Sequence, residues 1–153
     1  LILDNNQTII ITGTVHITGR MDIGQNGSVI LDTAYGANSG IIVVDRTIDL
    51  ENNGAMRGSG TPGSYLLIIS LAVSNYDTDT AIDIHNSANG AMFYAPNGSA
   101  RLHNTTTISQ LTAKKIRMDN GAVLRYERGF LDTRFTSGPT AGWMPIIGTW
   151  KRE

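Results

Sequence analysis

Three aspartates hold one place in recurring lines of sequence: Met21-Asp22-Ile23, Ile48-Asp49-Leu50 and Ile82-Asp83-Ile84. Each sits between two apolar residues, so in a strand each points away from the core. A stacked carboxylate file can take Ca²⁺ or cleave glycosidic bonds, as on polysaccharide-cleaving β-helices. Retaining glycosidases hold their two carboxyls about 5–5.5 Å apart, and inverting ones about 6.5–9.5 Å. The sequence reading sets a strand bearing Leu67 or Ile69 between Asp49 and Asp83. With strands ~4.8 Å apart, these two carboxylates then stand roughly 10 Å from each other. Arg117 fills the aspartate slot in the last repeat. The expectation is a solvated strand face with no catalytic residues.

His16, His85 and His103 fall on the same outward faces, and His85 and His103 are spaced to stack on neighbouring strands. Two imidazoles make a poor zinc site, and no third ligand is spaced for one, so no metal and no cofactor are expected. Cysteine is absent, which removes disulfides and thiolate ligands. There is no Gly-x-Ser-x-Gly elbow. The run Gly58-Ser59-Gly60-Thr61-Pro62-Gly63 lacks the Lys-Ser/Thr ending of a phosphate loop. The glycine-rich calcium nonapeptide is also missing. The chain reads as a non-enzyme.

The elements that carry these residues are strands. The chain has 153 residues, one domain's worth, with 18 Ile, 17 Thr, 17 Gly and 12 Asn but only three Lys. Such a composition gives short apolar strands broken by Asn and Gly turns. A net charge of −1 argues against a nucleic-acid partner. The line apolar-x-apolar-x-Asn recurs, ending at Asn52, Asn86, Asn104 and Asn120 and, with one further residue before the Asn, at Asn26. Leu50, Ile68, Ile84, Leu102 and Met118 follow one another at 18, 16, 18 and 16 residues, which suggests one core ladder. A period this short fits a parallel β-solenoid and not a helical repeat. Five Asn-Gly pairs, at Asn26, Asn53, Asn89, Asn97 and Asn120, suit hairpins as well, so a β-sandwich is the rival fold. The near-constant spacing favours an all-β, right-handed parallel β-solenoid of about six rungs over residues 1–132.

Three stretches break the rhythm: a loop at 58–64, a polar excursion at 73–80, and a non-repetitive tail at 133–153. The tail carries Trp143, Met144, Pro145, Ile146, Ile147 and Trp150, too much apolar surface to leave in water. It is expected to cap the last rung or lie along one side, with Trp143 or Trp150 buried. The competing reading makes Trp143, Trp150 and Tyr94, with Tyr76 or Tyr126, contacts for a partner or a sugar. Residues 1–113 carry four Arg against nine acids, and residues 114–153 eight Lys and Arg against four acids. A solenoid with unlike ends can stack head to tail.

The stretch Ala91-Met92-Phe93-Tyr94-Ala95-Pro96-Asn97-Gly98-Ser99, then Thr112-Ala113-Lys114-Lys115-Ile116, resembles the C-terminal β-solenoid region of PilX-like bacterial pilus-assembly proteins. The ending Phe135-Thr136-Ser137-Gly138-Pro139, Gly142-Trp143 and Thr149-Trp150-Lys151 completes the resemblance, which covers residues 40–153. The first lines, Ile11 to Arg20, are similar to bactofilins, the polymer-forming β-helices. These resemblances imply a structural module of a surface or pilus-related assembly, extracellular or at the cell surface. Its partners would be other subunits or further copies of itself, with polysaccharide as the second ligand class. Neither family implies catalytic residues. The chain begins at Leu1 and has no apolar run of spanning length. Membrane contact is therefore expected only through a segment outside this sequence.

Overall fold

The computed structural model describes residues 1–75, 79–125 and 133–139. Their strands are β1 (Ile2–Leu3), β2 (Thr8–Ile11), β3 (Val15–Ile17), β4 (Met21–Ile23), β5 (Ser28–Leu31), β6 (Gly40–Val44) and β7 (Ile48–Leu50). They continue with β8 (Ala55–Arg57), β9 (Leu66–Ser70), β10 (Ile82–Ile84), β11 (Asn89–Leu102), β12 (Thr107–Met118) and β13 (Val123–Leu124). No α-helix occurs among the described residues; one 3-10 turn spans Thr33–Tyr35.

All thirteen strands belong to one curled sheet, and every strand pairing described is parallel. Hairpins, which need antiparallel neighbours, are therefore not how the described residues are built. The short strands pair with the strand three elements later, in three files. The first file runs β1-β4-β7-β10, the second β2-β5-β8 and the third β3-β6-β9. The long strands β11 and β12 cross all three files, and β13 closes the second.

Alternation along each strand sends one set of side chains inward. In the first file Leu3, Ile23, Leu50, Ile84, Leu102 and Met118 stand in register. Ile68, expected in this ladder, lies elsewhere: it pairs with Ile42 and Phe93 in the third file. Successive strands fall in three different files, so equal sequence spacing does not assign a file. Nor is the spacing constant: Asp49 to Asp83 spans 34 residues, but Asp83 to Arg101 only 18. The long circuit absorbs the loops before and after β9.

The turn from the first file to the second is a column of left-handed residues. Asn6, Asn26, Asn53, Ser87, Thr105 and Gly121 have φ of 62°, 58°, 59°, 59°, 60° and 75°. Asn and Gly tolerate this region best and fill four of the six corners; the motif's Asn52, Asn86, Asn104 and Asn120 each stand one residue before the left-handed position. The corners hydrogen-bond along the column: the N–H groups of Asn6, Asn26 and Asn53 donate to Gln25, Asn52 and Asn86 carbonyls at 2.9, 3.0 and 3.1 Å. Of the five Asn-Gly pairs, those at Asn26, Asn53 and Asn120 form such corners; those at Asn89 and Asn97 lie within β11.

The start of the tail returns to the early strands. Phe135 makes a parallel bridge with Ser39, whose N–H donates to Arg134 O at 2.7 Å, and Thr14 N–H donates to Ser137 O at 3.1 Å. Residues 133–139 thus lie beside the entries to β3 and β6. Trp143 and Trp150, named for the cap, lie outside the described residues.

Candidate functional site

The outward side of the first file gathers most of the chain's chemistry. In register it reads Ile2, Asp22, Asp49, Asp83, Arg101 and Arg117. Each position sits between two inward residues, so the parallel register alone stacks these groups. Asp49 and Asp83 are cross-strand neighbours, with no strand between them. The expected separation of about two strand spacings is corrected to one, about 4.8 Å. The signal was present in the sequence: no copy of the motif lies between Ile48 and Ile82, so those two copies are consecutive.

One step along, the next outward residues form a second file. His85 N–H donates to Leu50 O and His103 N–H to Ile84 O, which sets Glu51, His85 and His103 side by side. The two imidazoles stack with centroids 4.6 Å apart and an interplanar angle of 9°. The expected pairing on neighbouring strands is what the structure has. The carboxylates around the rings supply what the sequence reading missed. His103 Nε2 is hydrogen-bonded to Asp83 Oδ1 at 2.7 Å, and its Nδ1 lies 3.7 Å from Asp119. His85 Nε2 lies 3.2 Å from Asp49 Oδ1, and its Nδ1 4.0 Å from Glu51. Among the described residues two triads follow in which the ligand atoms lie within 4.8 Å of one another: Asp83, His85, His103 and Asp49, Glu51, His85. The expectation that no third metal ligand is spaced near the histidines is therefore wrong. Sequence distance hid the second triad, because Asp49 and His85 are 36 positions apart; in the first, Asp83 stands only two residues before His85 on the same face of the strand.

The electrostatics change sign along this strip. Burial raises the Asp49 carboxyl above its ordinary range; His85 opposes this, while Asp83, Glu51 and Asp22 reinforce it. At the other end a hydrogen bond from Arg101 lowers Asp119, partly offset by burial, with Arg117 adding to the lowering. Arg101 and Arg117 contact Asp119 at 2.9 and 3.1 Å, and Arg20 holds Asp22 at 2.7 Å. His16 stands apart on β3, paired with Asp45 at 2.7 Å.

Of the aromatic contacts expected from sequence, Tyr94 is described. It is 40% exposed on the outward side of the third file, beside Ile69 and Thr112. Trp143, Trp150, Tyr76 and Tyr126 lie outside the described residues, so Tyr94 has no described aromatic partner from that set. No family model, no curated protein and no solved structure matches this chain.

Proposed function

We propose that the chain is a non-enzymatic structural module: a right-handed parallel β-solenoid of about six rungs that self-associates or docks to like subunits in a bacterial surface assembly. Six successive left-handed corners support the rung count. The observation that carries the role is the pair of unlike ends. Among the described residues β1 and β2 are paired on one side only, and Ile2 and Ile10 within them are 67% and 60% exposed. At the far end Ile116, Met118 and Leu124, which continue inward files, are also exposed. Open strand edges with apolar margins favour edge-to-edge growth. The outward file, acidic at Asp22, Asp49 and Asp83 and basic at Arg101 and Arg117, gives a head-to-tail contact opposite charges. The resemblance to the PilX-like solenoid region points to the same role and to a pilus-related setting.

Sedimentation across a concentration series tests this. The expected result is association that weakens with salt and is lost in Ile2→Lys or Met118→Lys. A monomer at every concentration, in both low and high salt, rejects self-assembly.

A second reading, glycan cleavage, is favoured by one observation. Asp49 and Asp83 are direct neighbours, and burial raises the Asp49 carboxyl, as a general acid needs. Turnover of a polysaccharide that disappears in Asp83→Asn would establish it over the structural role. Tyr94 is the described residue for the related sugar-binding reading.

A further inference from the structure

Asp49 Oδ1 is shielded from solvent and has no hydrogen-bond partner among the described residues, although His85 Nε2 stands only 3.2 Å away. The neighbouring pair behaves differently: His103 Nε2 and Asp83 Oδ1 close to 2.7 Å in a hydrogen bond. A buried carboxylate oxygen without a partner is costly and calls for one. The 3.2 Å gap has a meaning of its own. Donors at about 2.0–2.1 Å from a tetrahedral ion stand about 3.3 Å from each other, so Asp49 and His85 are already spaced as two ligands of one ion.

We propose that Asp49, Glu51 and His85 form a binding site for a divalent transition-metal ion of the zinc class. Asp49 Oδ1 and His85 Nε2 supply two ligands. Glu51 supplies the third: it follows Asp49 at i+2 on the same face, and it belongs to the triad whose ligand atoms lie within 4.8 Å. Its side chain is 44% exposed, which leaves it room to turn onto the ion. One imidazole with two carboxylates suits zinc and its neighbours better than Ca²⁺, which prefers oxygen donors alone. The supporting shell is built. β7 and β10 are hydrogen-bonded in register under the three ligands. The His85 ring is set by its stack on His103, which Asp83 holds in turn. The triad of Asp83, His85 and His103 is the poorer host, because an ion there must break the 2.7 Å hydrogen bond. The site goes beyond the structural role and does not depend on it.

The test uses EDTA-treated protein and ZnCl₂ in calorimetry, with Co²⁺ as a spectroscopic probe. Saturable binding of one ion per chain is expected, with visible cobalt bands of a nitrogen- and oxygen-ligated site and a rise in melting temperature. His85→Ala and Glu51→Gln should each weaken binding by about tenfold or more, the scale at which ligand-sphere changes act. His16→Ala should leave it unchanged. Circular dichroism in EDTA confirms that each variant folds, and His85→Asn serves if His85→Ala does not. Absence of saturable binding overturns the proposal. So does a His85 variant, folded, that binds as well as the parent, or a loss that follows Asp83→Asn but not Glu51→Gln.

Discussion

Ile84→Ala and Met118→Ala remove three side-chain groups each from the same inward file, one from its middle and one from its end. Ile84 is fully buried between Leu50 and Leu102, which are themselves fully buried. Deleting three carbons costs ~2.4 kcal/mol in transfer free energy at ~0.8 kcal/mol each. If about 50 Å³ of the vacated space persists, the cavity adds ~1.2 kcal/mol. The total of about 3.6 kcal/mol lowers a urea midpoint by about 1.2–1.8 M at a slope of about 2–3 kcal/mol/M. Met118 is 44% exposed and has Leu102 on one side, so its truncation loses roughly half the transfer term and leaves no closed cavity. About 1 kcal/mol is expected, a midpoint shift of about 0.3–0.5 M. Equilibrium urea unfolding, followed by circular dichroism at one protein concentration, measures both. Equal losses would refute the reasoning, because they require Met118 to be as enclosed as Ile84. A loss below ~1.5 kcal/mol for Ile84→Ala would refute the close packing of the file itself.

Asp119 stays ionised in the folded chain at a lower pH than in the unfolded one, since Arg101 holds it below its ordinary 3.8. Its contribution is therefore present above that value and lost as pH falls through the lowered one; Asp119→Asn should flatten the acid limb of a stability profile, and an unaltered limb would count against the ion pair. Asn53, at φ 59°, should tolerate Gly at little cost, whereas Val should cost ~1–2 kcal/mol; equal stability of the two variants in thermal melts would remove the corner argument. Truncation after residue 132 removes the hydrogen bonds to Ser39 and Thr14, so a lower melting temperature and faster proteolysis are expected. If that truncation leaves both unchanged, the tail contributes nothing to the early strands.

How much of this was readable before folding depends on the residue. Ile82-Asp83-Ile84-His85 gave its inward and outward sides from alternation alone, since a strand has one period whatever its neighbours. The Asn-Gly pairs at Asn26 and Asn120 marked turn positions, because few residues accept the left-handed backbone that Asn26 and Gly121 adopt. Ser87 and Thr105 take the same conformation without any compositional sign. Ile68 was misplaced because spacing along the chain carries no information on which of three sides a strand joins. The partnership of Asp49 with His85 was hidden for a related reason. It is set by the register of β7 against β10, and loops of unequal length lie between them.

The corner column also bears on how the chain ages. Asn-Gly is the dipeptide most prone to deamidation, because the glycine nitrogen can close on the asparagine side chain. At two corners that nitrogen is engaged: Gly27 N–H donates to Gly24 O at 2.8 Å, and Gly54 N–H to Glu51 O at 2.9 Å. The ring closure requires the backbone to rotate out of a conformation that the bonds along the column hold in place. Conversion at Asn26 and Asn53 should therefore be slow while the stack is intact and rapid once it opens, so that the isoaspartate content of old protein records how often its corners have unfolded.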